Sequence, residues 1–66
     1  MDEEIGRIKM GDNVDLVVRK TEYKNQLRVD IRKFVKTKSY EGWSQQGISI
    51  PFENWNEVFE IFKKVQ

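Results

Sequence analysis

Gln26-Leu27-Arg28-Val29-Asp30-Ile31-Arg32-Lys33-Phe34-Val35 alternates with a period of two. In an extended chain Leu27, Val29, Ile31 and Val35 fall on one side, and Arg28, Asp30, Arg32 and Phe34 on the other. Lys33 is the single break, a charge on the apolar side near the end of the run. A helix would scatter these residues around its circumference, so the stretch reads as a β-strand. One side belongs to a core. The other carries two guanidiniums, a carboxylate and an aromatic ring, which suits a surface that binds something flat and negatively charged.

On the N-terminal side, Lys20 to Asn25 is polar, with Lys24-Asn25 as a hairpin tip. Val14 to Arg19 reads as a second strand, with Val14, Leu16 and Val18 on one face and Asp15, Val17 and Arg19 on the other. Gly11-Asp12-Asn13 is a turn signal. Glu3 to Lys9 is weakly patterned, a short irregular strand in which Gly6 marks a bulge. On the C-terminal side the central strand is expected to reach Lys36. Thr37 to Gly42 reads as a polar loop containing Tyr40. Trp43 to Ile50 reads as a fourth strand, with Ile48 and Ile50 inward and Gly47 needed for a bend or a close approach.

Pro51 closes that strand and suits the start of a helix. From Phe52 to Val65 the apolar residues Phe52, Trp55, Val58, Phe59, Phe62 and Val65 recur at spacings of three and four. Glu53 in the first turn and Lys63 and Lys64 in the last match the helix dipole. Trp55 and Phe59 are expected in a core. Ile61 widens the apolar stripe. Either the helix covers its own sheet and also meets a second chain, or Ile61 lies in water. Strands followed by one helix make an α+β layout with an antiparallel sheet.

Sixty-six residues form one domain, with residues 1–4 expected as a disordered tail. So short a chain buries little surface and is marginal alone. It has no cysteine for a disulfide or thiolate site. The remaining remedy is a partner chain, so a homodimer is expected. Met1-Asp2-Glu3-Glu4 is acidic and precedes no apolar run, so no secretory signal is read, and no stretch approaches the ~20 apolar residues of a membrane span. The expected location is therefore cytosolic, or nuclear in a eukaryote.

The net charge of +1 conceals segregation. Between Arg19 and Lys38 eight basic residues face two acidic ones, for +6. The remainder holds four basic and nine acidic residues, for −5. Such segregation implies a positive patch. Enzyme readings fail on inventory. There is no histidine, no glycine-rich phosphate loop and no paired-carboxylate motif. Neither a metal site nor a cofactor is expected.

Val18-Arg19, a short hairpin, Val29-Asp30-Ile31-Arg32-Lys33-Phe34, a polar loop, Gly47-Ile48-Ser49-Ile50 and Trp55 follow one another in an order that resembles the single-stranded-DNA-binding domain of the transcriptional coactivator positive cofactor four family. The likeness covers roughly residues 5 to 65. It implies a curved four-stranded antiparallel sheet and one C-terminal helix (ββββα), paired into a homodimer through the helices. Trp55, Phe59, Ile61 and Phe62 are the expected interface residues. It also implies grooves of basic and aromatic residues that bind single strands, or melted duplex, with little sequence preference. A minimal bacterial or phage member is the form it suggests, nucleoid-associated in that case. Arg19 and Arg32 match family arginines, and Tyr23 falls where the family has a stacking phenylalanine, although Thr21-Glu22 looks like an insertion. Phe34 matches a family tyrosine. Val35 replaces a DNA-facing tryptophan, and Trp43 or Tyr40 is the substitute ring. Gln45 and Gln46 replace basic residues.

The residues alone support the same chemistry. A binder of single strands needs cations for phosphates and flat rings for bases. Arg19, Lys24, Arg28, Arg32, Lys36 and Lys38 are the candidate cations. Tyr23, Phe34, Tyr40 and Trp43 are the candidate rings. Asp30 is expected to orient Arg28 or Arg32. Two other readings stay open: a module that docks an acidic protein of the transcription machinery, and a binder of single-stranded RNA.

Overall fold

The computed structural model describes residues 2–66. Four strands run in chain order: β1 (Glu3–Gly11), β2 (Val14–Tyr23), β3 (Gln26–Lys36) and β4 (Glu41–Pro51). They form one antiparallel meander in the order β1-β2-β3-β4. A 3-10 turn (Phe52–Asn54) and one helix, α1 (Trp55–Lys63), follow. The expected α+β layout of four strands and a C-terminal helix is what the chain adopts.

The two hairpins before β3 fix its register. Lys24 and Asn25 have φ of 51° and 63°, the pair of left-handed residues that a two-residue hairpin turn requires. Tyr23 is therefore opposite Gln26, and the pairing continues unbroken to Val14 opposite Val35. β2 runs on through the polar residues Lys20 to Tyr23, past the Arg19 end of the expected strand. Thr21 and Glu22 lengthen the hairpin and carry Tyr23 to its end. β4 begins at Glu41, two residues before the expected start. β1 begins at Glu3, whose partner is Lys20, so Glu3 and Glu4 lie in the sheet and not in a tail; Met1 lies outside the described residues. The irregularity anticipated at Gly6 is a register shift at Ile5, and another occurs at Met10.

Residues directly opposed in an antiparallel pair point to the same side. One face thus holds Ile8, Leu16, Val18, Val29, Ile31, Ile48 and Ile50. The other holds Arg7, Asp15, Val17, Arg19, Arg28, Asp30, Arg32, Phe34 and Trp43. Val29 and Ile50 are buried on the apolar face, yet the most deeply buried apolar residue, Val17 at 0% exposure, lies on the polar one. It is flanked by Arg7 and Arg32, whose aliphatic stems can cover it.

The helix departs from expectation in two ways. Its first turn is 3-10, following the extended backbone of Pro51 (φ −55°, ψ 137°), and the α-helix proper starts at Trp55. No residue of α1 is buried within the protomer. Phe59, expected in the core, is exposed, as are Ile61, Phe62 and Val65; Trp55 is half-buried. The rings pack along the helix itself, Trp55 lying 6.2 Å from Phe59 and 6.4 Å from Phe62. The expected covering of the protomer's own sheet is thus not made by this stripe. Ile8, Leu27 and Ile48 are exposed on the sheet's apolar side as well. The radius of gyration, 13.1 Å, exceeds the ~11 Å of a compact chain this long.

Candidate nucleic-acid interface

The polar face is organised by one carboxylate. Asp30 is 4% exposed and is flanked across the sheet by Arg19 and Ser49. Arg19 Nη2 donates to its Oδ2 at 2.9 Å, and Arg32 Nη2 donates to its Oδ1 at 3.0 Å. Burial alone would raise the Asp30 pKa. The hydrogen bonds from Arg32 and Arg19 outweigh it and leave the pKa below the usual carboxylate value. The expected orienting role is met by Arg32 and Arg19; Arg28 is held elsewhere.

Arg32 is pinned from a second side. Between the pairs Arg32–Gly47 and Phe34–Trp43, β3 has one residue and β4 has three, so β4 bulges. The bulge turns the carbonyls of Ser44 and Gln45 toward Arg32 Nη1, at 2.9 and 2.8 Å. Gly47 is required by this packing. A Cβ there would lie 2.6 Å from the Arg32 guanidinium carbon. Gln45 and Gln46 thus belong to the bulge, which gives Gln45 a role that its side-chain charge does not predict.

The rings form a second layer. The Arg19 guanidinium carbon lies 4.0 Å from the Trp43 ring centre. Trp43 meets Phe34, its cross-strand partner, edge to face at 4.9 Å and 73°. Tyr40 lies over Gly42 and donates its hydroxyl to the Trp43 carbonyl at 3.1 Å. Tyr23 is 63% exposed at the end of the hairpin, with Lys24 Nζ 5.3 Å from its ring centre. A cavity of about 420 Å³ is lined by Arg19, Tyr23, Asp30, Arg32, Trp43 and Gln45. A larger one, about 610 Å³, is lined by Arg7, Asp15, Phe34, Lys36, Lys38 and Glu41. Trp43 bounds the first and Phe34 the second, so the ring pair divides them.

Of the anticipated site residues, Arg19, Tyr23, Arg28, Arg32, Phe34, Lys36 and Trp43 share this face, with Lys24 and Lys38 in the flanking turns. The arginines are committed within the protein. Arg28 donates to Ser49 Oγ at 2.6 Å, to the Ser49 carbonyl at 3.0 Å and to Gln26 at 2.6 Å. Lys36 and Lys38 are exposed and reach no carboxylate among the described residues. Arg7 was not anticipated. It is held by Glu4 at 2.7 Å and Asp15 at 2.9 Å, and its guanidinium carbon lies 5.9 Å from the Phe34 ring centre. The bulge at Ile5 breaks the period of two that would have placed Arg7 on this face. Asp15 is in phase with Arg19, and that phase was the available signal for it.

A family model described as Transcriptional Coactivator p15 (PC4) matches residues 13–61. That range takes in β2, β3, β4 and most of α1 and leaves out β1 with Arg7. No curated protein and no solved structure matches the chain.

Proposed function

The chain belongs to the transcriptional coactivator p15 (PC4) family, and from that premise we propose that it is a homodimeric, largely sequence-independent binder of single-stranded DNA that acts on unwound strands without catalysing a reaction. The observation that carries this reading is the Arg19–Trp43 stack beside the exposed Tyr23, all lining one open cavity. Flat faces suit unstacked bases, which a single strand offers and a duplex keeps inside. Lys24, Lys36 and Lys38 supply ammonium groups for the backbone phosphates.

The homodimer is supported by the two uncovered apolar surfaces, that of α1 and that of the sheet. A second copy of the chain is the partner proposed for them, through Trp55, Phe59, Ile61 and Phe62. The proposed location is wherever DNA is opened: the nucleoid in a bacterium, the nucleus in a eukaryote.

The test is an equilibrium titration of a dT oligomer against duplex DNA of equal length at fixed salt. Tighter binding of the dT oligomer is expected. Equal or tighter duplex binding overturns the reading. Matched RNA in the same competition reports whether the 2′-hydroxyl is tolerated. A pull-down from nuclease-treated lysate separates docking of a transcription protein from retention through DNA.

A further inference from the structure

Asp30 is the only buried polar residue among the described residues, and it lies on the face proposed for DNA. Its one negative charge is shared between two arginines at 2.9 and 3.0 Å. The cavity is therefore walled by two guanidiniums whose combined charge Asp30 halves, and the carboxylates of Asp2 and Glu22 line it as well. Donors of both guanidiniums are also engaged within the protein, and Arg19 Nη1 lies 3.9 Å from Asp2 Oδ2. Arg19 Nη2 and Arg32 Nη2 point at the carboxylate, and Arg32 Nη1 points at two carbonyls. What Arg19 contributes besides is its planar face, stacked on Trp43 at 4.0 Å.

Phosphate attraction is common to single strands and duplexes. Open base faces belong to single strands. A site that mutes the first and keeps the second favours the ligand with unstacked bases. Resting on the single-strand reading above, we propose that Asp30 is a specificity-determining residue: by holding Arg19 and Arg32 and cancelling one of their charges, it makes base stacking rather than phosphate attraction decide what binds, and so selects single strands over duplex.

Two variants test this. Asp30→Asn keeps the shape and an acceptor oxygen but removes the charge. Thr21→Lys adds a cation to the wall of the same cavity without touching the buried trio. Dissociation constants for a dT oligomer and an equal-length duplex are measured at several salt concentrations, with circular dichroism as the check on folding. Both variants are expected to tighten duplex binding more than dT binding. The preference for dT then narrows by roughly fivefold, the effect of one exposed charge pair. The duplex salt slope steepens by about 0.9 for each additional phosphate neutralised. An unchanged preference in a folded Asp30→Asn, with a wild type that prefers dT, overturns this inference alone, whatever Thr21→Lys does. A wild type without that preference overturns the functional reading and this inference with it. If Asp30→Asn does not fold, Thr21→Lys decides the question.

Discussion

The guanidinium of Arg19 and the indole of Trp43 are stacked at 4.0 Å, so a cation covers one face of the sheet's only tryptophan. The same guanidinium is tied to Asp30, and the same indole meets Phe34 edge-on. These four side chains form one packed unit. Removing a member disturbs the sheet as well as the site. The aromatic ring on this face free of that packing is Tyr23.

Tyr23→Ala therefore separates binding from folding. Loss of one stacking ring is expected to weaken dT binding by ~1–3 kcal/mol with no change in salt slope. Stability is expected to stay within about 0.5 kcal/mol, as for other exposed positions. Trp43→Ala should lower both binding and the melting temperature. Fluorescence titration and thermal melts of the two variants check this.

Salt dependence should belong to the lysines. Each phosphate neutralised on a single strand contributes about −0.7 to the slope of log affinity against log salt. Lys36→Ala with Lys38→Ala is expected to flatten the slope by up to twice that amount. Arg32→Ala is expected to leave it nearly unchanged, because that guanidinium already faces Asp30, Ser44 and Gln45. It should instead destabilise the fold by about 1–3 kcal/mol, the cost of leaving a buried acceptor with fewer donors. Salt titrations and urea melts distinguish the two outcomes.

The contrast between Arg32 and the lysines marks how far the residues could be read without coordinates. Period two placed Arg28, Asp30, Arg32 and Phe34 on one face, because alternation is a local property of an extended strand. It also phased β2, and Lys24-Asn25 marked the tip that joins them. Whether a guanidinium faces solvent or a carbonyl is not local. It depends on a β4 bulge whose only trace in the sequence is Gly47 and the polar run before it. The helix shows the same limit. Spacing revealed the apolar stripe of α1 but not what that stripe covers, since an uncovered stripe and a buried one have the same period.

Gly47→Ala tests the bulge directly. The added methyl would sit 2.6 Å from the Arg32 guanidinium carbon, which is fixed by Asp30 and two carbonyls and cannot yield freely. Arg32 must leave at least one of these acceptors. A loss of about 1–3 kcal/mol in urea melts is expected. Gly6→Ala, where nothing lies within 4 Å, is the control and should change stability little.

Acid should act through Asp30. Its folded pKa is depressed, despite burial, by the hydrogen bonds from Arg32 and Arg19. A group of this kind contributes stability that is fully present above its unfolded value of about 3.9 and is lost as pH falls through the folded pKa. Melting temperatures of the wild type at constant protein concentration should thus fall more steeply below about pH 4 than those of Asp30→Asn. Parallel pH profiles of the two proteins would show that the buried carboxylate is not the acid-sensitive element.

The apolar stripe of α1 makes the last prediction. Phe59 and Phe62 are both close to half exposed in the protomer, at 46% and 47%. Burying a phenylalanine side chain fully stabilises by roughly 1.5–3 kcal/mol, so two chains meeting through these rings would gain from four of them at once. A carboxylate at such a position would have to be desolvated without a partner. Phe59→Asp is expected to shift a species of twice 7.9 kDa toward monomer in sedimentation velocity, and Glu60→Gln, away from the stripe, is not. The wild-type melting temperature should rise with protein concentration, because association favours the folded state by mass action, while that of Phe59→Asp should be lower and lose this dependence. A wild type that sediments as a monomer and melts at one temperature over a hundredfold range of concentration would leave the helix without its proposed partner.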